Sequence, residues 1–264
     1  MSVLEMNLLG IALWQSLALS MARWIGFSLM VPLFGRRHMG VISRNAICMA
    51  MSLQQVPGVF EKLAMGNWQS SWLVWMGMKE VMLGALLGML VSIPFWAFRG
   101  ALTLVDNQRG ANAAQMNNPS LEADTSILGE LGERMLLVWL VETGAFVMAF
   151  ELLIDSLIIW PILQGVPISM LGDGTRLWMA FGDLMSKTLL FAAPALFLLL
   201  VVEFAFALSS SSVKGIDVYQ TAMPIKSLAV LMLMSLLGYA WMSRVVNSLV
   251  DWWQNGVWWT LGGL

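Results

Sequence analysis

Stretches free of Asp, Glu, Lys and Arg recur along the chain at residues 6–22, 24–35, 45–60, 63–78, 81–98, 156–172, 188–202, 204–213, 227–243 and 252–264. A helix that spans a bilayer needs about 20 apolar residues for a hydrocarbon core about 30 Å thick. The best uninterrupted runs have 16–18 residues, which is about 24–27 Å at 1.5 Å per residue. Proline divides them further: Pro57 ends one run, Pro94 sits inside 81–98, and Pro161 and Pro167 punctuate 156–172. The pattern predicts an all-α membrane protein of kinked helices and helical hairpins. Two arrangements fit. One is about six tilted, kinked spans; the other is a set of hairpins packed against other subunits, which satisfy the polar interruptions. The second predicts buried charges near helix middles, with Arg23, Glu142, Glu151 and Glu203 as candidates.

The longest polar segment is 99–134. Arg99-Gly100 is followed by Ala101–Val105, by Asp106-Asn107-Gln108-Arg109-Gly110, by Asn117-Asn118-Pro119-Ser120, and by an acidic stretch to Arg134. Asp124, Thr125 and Ser126 are good helix starters before Ile127. Glu130 and Arg134 sit four apart and can pair on one helix face. The segment reads as a helix end, a loop over 99–126 and a new helix. The chain opens with Glu5 and a long apolar stretch, without the basic leader of a cleavable signal peptide. Arg36, Arg37 and Arg44 cluster in the first loop, but the other basic residues are scattered beside acidic ones, so charge bias assigns no orientation.

Composition narrows the class. Of 264 residues 59% are apolar and 11% charged, and the mean hydropathy is +0.76. A soluble domain carries about 25% charged residues, so this chain has too little polar surface to be one. Disordered chains are polar and poor in aromatics. A net charge of −2 leaves no basic excess for nucleic acid. Cys48 and His38 are each alone, which excludes an intramolecular disulfide and any multi-Cys or multi-His metal site. Cys48 reads as a small apolar residue packed in a helix, and His38 as a solvated or interfacial residue beside Arg36 and Arg37. No metal-protease, phosphate-loop, dinucleotide-binding or serine-hydrolase motif is present, so the sequence implies neither an enzyme nor a cofactor.

Four groups of residues carry candidate chemistry. Gly84, Gly88 and Ser92 are spaced by four, with Glu80 one step earlier on the same ridge and Lys79 beside it. Small residues at this spacing let helices approach closely in an apolar medium. The ridge packs either within the chain or onto a neighbouring subunit, with Glu80 meeting a cation. Asp106, Asn107, Gln108, Arg109 and Gly110 form a dense polar knot in which Asp106 and Arg109 can pair if helical. Gly110 permits a positive φ, and Asn118-Pro119 marks a further turn. This knot is either a structural cap, or a constriction or subunit contact. Glu142, Glu151 and Asp155 lie in an apolar helical pattern, with Glu142 about 180° from Glu151 at 100° per residue. They form a proton relay or a solvent-facing set, since intramembrane carboxylates are expensive. Glu203 and Lys226 interrupt the last long apolar stretches, and burying either alone is costly, so Glu203 is expected to have a partner.

In chain order, Arg44-Asn45-Ala46-Ile47, Lys79-Glu80 with Gly84, Pro94-Phe95-Trp96, Asp106-Asn107-Gln108-Arg109-Gly110, Asn118-Pro119 and Asp124-Thr125-Ser126 closely resemble the FliR/SctT/SpaR family of the type III secretion export apparatus. The resemblance extends to Pro32 with Phe34, Pro57, Pro194, Glu203 and the Pro224-x-Lys226 element. Its most specific block is 79–119, where the Asp-Asn-Gln-Arg-Gly form resembles the injectisome branch rather than the flagellar one. It implies a single-copy subunit of the inner-membrane export gate, without catalytic activity of its own. The subunit would be an SctR-like part, residues 1–185, fused to an SctS-like hairpin, residues 186–264. It would sit in a hetero-oligomeric spiral with SctR and SctS homologues, neighbouring SctU and SctV homologues and the needle or inner-rod base. Unfolded secreted proteins would be the cargo of the conduit, which is powered from elsewhere. The tail from Trp252-Trp253 through Trp258-Trp259 to Leu264 and the connector 163–176 are unmatched. The four tail tryptophans suit an interfacial belt at the lipid surface or a partner contact. The competing reading is a proton-coupled small-molecule transporter using Glu142, Glu151 and Asp155, although no repeated halves are evident.

Overall fold

A computed structural model describes residues 3–35, 38–66, 68–110, 126–165, 175–210 and 218–261. Among them there are helices and no strand. Helix α1 is Val3–Met30, and Val31 leads into a 3-10 turn at Pro32–Phe34. Helices α2, Val41–Ser52, and α3, Val56–Met65, follow. Pro57 falls in the first turn of α3, so it opens a helix where the apolar pattern placed an end. A first-turn proline loses nothing, because its missing N–H has no intrahelical acceptor. Helix α4 runs unbroken from Ser70 to Gln108 with Pro94 inside it. Its 39 residues span about 58 Å.

Helices α5, Ile127–Glu142, and α6, Phe146–Ile159, come next. The pattern suggested one helix here; Gly144, at φ +71°, parts the two. Pro161 lies just beyond α6, as expected; Pro167 is outside the described residues. Helices α7, Thr175–Ser210, and α8, Val218–Asp251, each contain a proline, Pro194 and Pro224. A π turn, Trp252–Gly256, and a short α9, Val257–Thr260, complete the chain.

Three described helices are long and apolar enough to cross a membrane: Ser70–Gln108, Thr175–Ser209 and Thr221–Gly256. The α5–α6 pair makes a fourth only if it counts as one broken span. Among the described residues, three or four helices meet the length and apolarity of a span, against the six tilted spans of the first arrangement.

The chain forms two compact units. The first holds residues 1–92, 146–176 and 253–264. An aromatic cluster lies at its centre: the Phe146 and Phe150 rings are 5.0 Å apart, with Phe34 6.2 Å and Trp24 6.1 Å from Phe150. A second group joins Leu19, Val59, Leu63, Leu73, Met76 and Ile162. The tail belongs here too. Trp253 is 1% exposed and its indole N–H donates to the Val91 carbonyl at 3.0 Å, so this tryptophan is neither in an interfacial belt nor free for a partner.

The second unit holds residues 93–145 and 177–252. Phe98 on α4 meets Phe191 of α7 and Trp241 of α8 edge-on, at 6.3 and 6.0 Å. Gly132 of α5 lies directly against Leu102, and Arg99 pairs with Glu133 at 3.1 Å. Glu203 faces Lys226, and Pro194 shares a cleft with Leu233, Leu237 and Trp241. Residues progressively earlier on α7 thus meet residues progressively later on α8, which makes the two an antiparallel hairpin.

Candidate functional site

Two polar constellations hold the chain's functional candidates, one in each unit. The first is built on the Glu80 ridge. Gly84 and Gly88 lie against the backbone of α1: a Cβ on Gly84 would strike the Arg23 carbonyl, and one on Gly88 the Phe27 carbonyl. The Ser92 hydroxyl donates to the Gly88 carbonyl at 2.6 Å and sits 3.1 Å from the Met30 carbonyl. The ridge of Lys79, Glu80, Gly84, Gly88 and Ser92 is therefore filled from within the chain. Of the two arrangements the sequence allows, the contacts of Gly84 and Gly88 with α1 are those of packing within the chain.

Close approach brings Arg23 and Glu80 together, both 0% exposed. Arg23 Nε donates to Glu80 Oε2 at 2.6 Å, and Lys79 Nζ lies 2.7 Å from Oε1. Two cations face one anion. The excess positive charge is met by main-chain carbonyls at the C-terminal end of α6 and just beyond. Arg23 donates to Ser156 at 2.9 Å and Trp160 at 2.7 Å; Lys79 donates to Ile162 at 2.9 Å and Gln164 at 2.6 Å. Carbonyls at a helix C-terminus carry partial negative charge and mostly lack intrahelical donors, so they suit this role; that of Ser156 accepts the Trp160 N–H at 2.9 Å as well. Sequence reasoning placed a cation on Glu80 but did not find which one. The available signal was Arg23, the one charge between residues 6 and 35.

The second constellation is the knot at the end of α4. Asp106 is 1% exposed, and both its oxygens are used. Oδ1 accepts from Arg109 Nε at 2.7 Å. Oδ2 accepts from the Ser126 hydroxyl at 2.6 Å and the Leu128 N–H at 2.9 Å. Ser126 in turn accepts from the Gly129 N–H at 2.9 Å, as a helix N-cap should. The carboxylate of α4 thus caps α5 from outside, where a negative charge favours the helix dipole. It ties together the two ends that flank residues 111–125. Asn118, Pro119, Asp124 and Thr125 fall in that stretch, outside the described residues.

Gly110 ends α4 at φ +87°, in the left-handed region, and a Cβ there would press on Met223. Lys226 is 4% exposed. Its ammonium is 3.2 Å from Glu203 and 3.5 Å from the Gln108 carbonyl, one of the carbonyls left open at the end of α4. Gln108 Nε2 also reaches Glu203 at 3.4 Å, and Arg109 NH1 is 3.5 Å from the Ser227 hydroxyl. Asn107 is on the exposed side. The knot therefore joins the end of α4, the start of α5 and the closed end of the α7–α8 hairpin. Glu203 has its expected partner, but its side chain is 52% exposed.

The carboxylates do not form a relay of the kind the sequence suggested. Glu142, Glu151 and Asp155 are all exposed, and the break at Gly144 puts Glu142 on a different helix from the other two. The wheel arithmetic relating Glu142 to Glu151 does not apply across it. Cys48 is buried in α2, with its thiol 3.7 Å from the Trp24 carbonyl, and burial pushes its pKa up.

These features define an all-helical membrane protein in which charge ties helix ends to one another and apolar helix faces are left uncovered. The profile of bacterial export proteins, family 1, matches residues 14–251, stopping where the tryptophan tail begins. Over 210 residues the chain is 31% identical to Yop proteins translocation protein T of Yersinia pestis, covering 79% of this chain and 80% of that protein. It is 27% identical over 223 residues to secretion system apparatus protein SsaT of Salmonella typhimurium, covering 82% and 84%. It is 28% identical over 150 residues to surface presentation of antigens protein SpaR of Shigella flexneri, covering 57% of each. The chain belongs to this family of bacterial export proteins, the FliR/SctT/SpaR family, and is a type III secretion export protein.

Proposed function

We propose that the chain is a single-copy core subunit of the export gate. It would sit multi-pass in the inner membrane within the secretion basal body and help form the conduit for unfolded proteins. Its immediate partners would be SctR and SctS homologues, with SctU and SctV homologues and the needle or inner-rod base as neighbours. The observation that carries this reading is the uncovered hairpin. Of the most apolar window of each span, 67% is buried in Ser70–Gln108, but only 22% in Thr175–Ser209 and 17% in Thr221–Gly256. Such faces need lipid or other chains to cover them.

The division into an SctR-like part, 1–185, and an SctS-like hairpin, 186–264, belongs to the same proposal. The antiparallel pairing of α7 and α8 supports a hairpin, although residue 186 lies inside α7. The knot then has a mechanical part. Asp106 and Lys226 would hold the end of α4, the start of α5 and the closed end of the hairpin in fixed register while a polypeptide passes.

The test expresses a tagged chain with and without SctR and SctS homologues, and measures complex formation and secretion. The expected result is a stable complex only with the partners, and reduced secretion with an intact complex for Arg109→Ala. A chain that purifies alone as a stable monomer and transports a small solute overturns the proposal.

A further inference from the structure

Charged residues bracket the apolar runs of the hairpin. On α8, Lys226 and Arg244 are 18 positions apart, about 27 Å along the helix. On α7, Lys187 and Glu203 are 16 positions apart, about 24 Å. These spacings approach the thickness of a hydrocarbon core, about 30 Å, so the two sets of charges mark two headgroup levels. At one level Glu203 and Lys226 satisfy each other. At the other, Lys187 pairs with Asp183 at 2.9 Å and lies 4.4 Å from the Trp252 ring centre. Arg244, on the exposed side of α8, has no hydrogen bond or ion pair among the described residues.

One turn from Arg244, the Trp241 indole N–H is buried and meets no acceptor among the described residues. Both residues line a cleft of about 140 Å³, whose other walls are Pro194, Leu233, Leu237 and Ala240. Leu233 is 11 positions from Arg244, about 16 Å towards the membrane centre. Arg244 and Trp241 thus line the end of the cleft nearer the headgroup level, and Leu237, Leu233 and Pro194 line the part that runs into the hydrocarbon zone.

We propose that this cleft binds a membrane phospholipid, its phosphate held by Arg244 and the Trp241 N–H, and one acyl chain lying along Leu237, Leu233 and Pro194. A guanidinium matches phosphate oxygens through paired donors, and an arginine at headgroup level is attracted to anionic lipid. An indole N–H at headgroup level behaves in the same way. The aliphatic floor selects an amphiphile over free phosphate. The inference rests on the membrane placement of the hairpin and not on the conduit role.

The test adds phosphatidylglycerol to the detergent-solubilised full chain, with its co-expressed partners, and counts retained lipid by native mass spectrometry. Arg244→Ala should weaken retention at one site about tenfold, the scale of one lost charge-assisted hydrogen bond. Arg244→Lys should recover part of it. Trp241→Phe, which keeps the ring against Phe98, should show a smaller loss. Unchanged retention in both Arg244→Ala and Trp241→Phe overturns the proposal. So does loss of a protein subunit with lipid retention unchanged, which makes the cleft a subunit contact.

Discussion

Replacing Glu80 by Gln keeps the shape of the side chain and removes the one anion between two buried cations. Arg23 and Glu80 are fully buried and Lys79 is 5% exposed, so water cannot screen the change. The buried charge rises from +1 to +2, and the new carboxamide must present an N–H group to one of the cations. Breaking a buried pair costs about 3–5 kcal/mol. The lower end applies here, because the carbonyls of Ser156, Trp160, Ile162 and Gln164 still hold both cations. At about 1.4 kcal/mol per tenfold, the folded-to-unfolded ratio falls at least a hundredfold. The double variant Arg23→Met/Glu80→Met leaves Lys79 alone and returns the buried charge to +1. It should recover at least half the loss, since apolar replacement of a buried pair is often neutral. The assay is unfolding by SDS in mixed micelles, followed by the near-ultraviolet circular dichroism of tryptophans such as Trp24, 2% exposed. A Glu80→Gln midpoint within about 1 kcal/mol of the parent, or a double variant no better than the single, refutes the reasoning.

Asp106→Ala removes the external cap of α5 and should cost about 2–3 kcal/mol. Amide exchange over residues 127–130 should quicken, whereas Arg109→Ala should leave it nearly unchanged because Asp106 keeps its contacts to Ser126 and Leu128; equal effects from the two variants contradict the capping role. Gly84→Ala drives a Cβ into the Arg23 carbonyl and should destabilise by about 1–3 kcal/mol. Gly238→Ala, with nothing within 4 Å, should instead stabilise by up to about 1 kcal/mol, and SDS midpoints that fail to move in opposite directions refute the packing argument. Because burial raises the Cys48 pKa, its thiolate stays scarce at pH 7–8; maleimide should label it slowly in the folded chain and quickly in SDS, and fast labelling when folded disproves its burial.

Features whose partners lie within one turn were legible in the sequence. The Glu130–Arg134 and Asp106–Arg109 pairs, both present, follow from helical spacing alone. The Ser126 cap follows from its place before Ile127. Features that depend on distant segments were not. Arg23 meets Glu80 57 positions away, Lys79 meets carbonyls near 162, and Lys226 meets the end of α4. No local rule selects among such partners. Proline was harder than it looked: Pro94, Pro194 and Pro224 all sit inside continuous helices, as neighbouring helices allow in an apolar medium. The break at Gly144 was readable, because a glycine after Glu142-Thr143 is a common helix stop. The surrounding apolar residues masked it.

Apolar content cannot by itself distinguish a helix covered by its own chain from one awaiting lipid or a partner, and here the position of charge within the run makes that distinction. Lys79 and Glu80 interrupt the apolar stretch 63–98. They are tolerable there because α1 and the end of α6 bring a guanidinium and four carbonyls to meet them. An uncovered helix has no such supply, since a charge in mid-run would face hydrocarbon. The hairpin obeys this constraint: 188–202 and 227–243 are free of charge, and Lys187, Glu203, Lys226 and Arg244 stand at their ends. A charge inside a run therefore signals packing within the chain, and a charge at its border signals a face left for something else to cover.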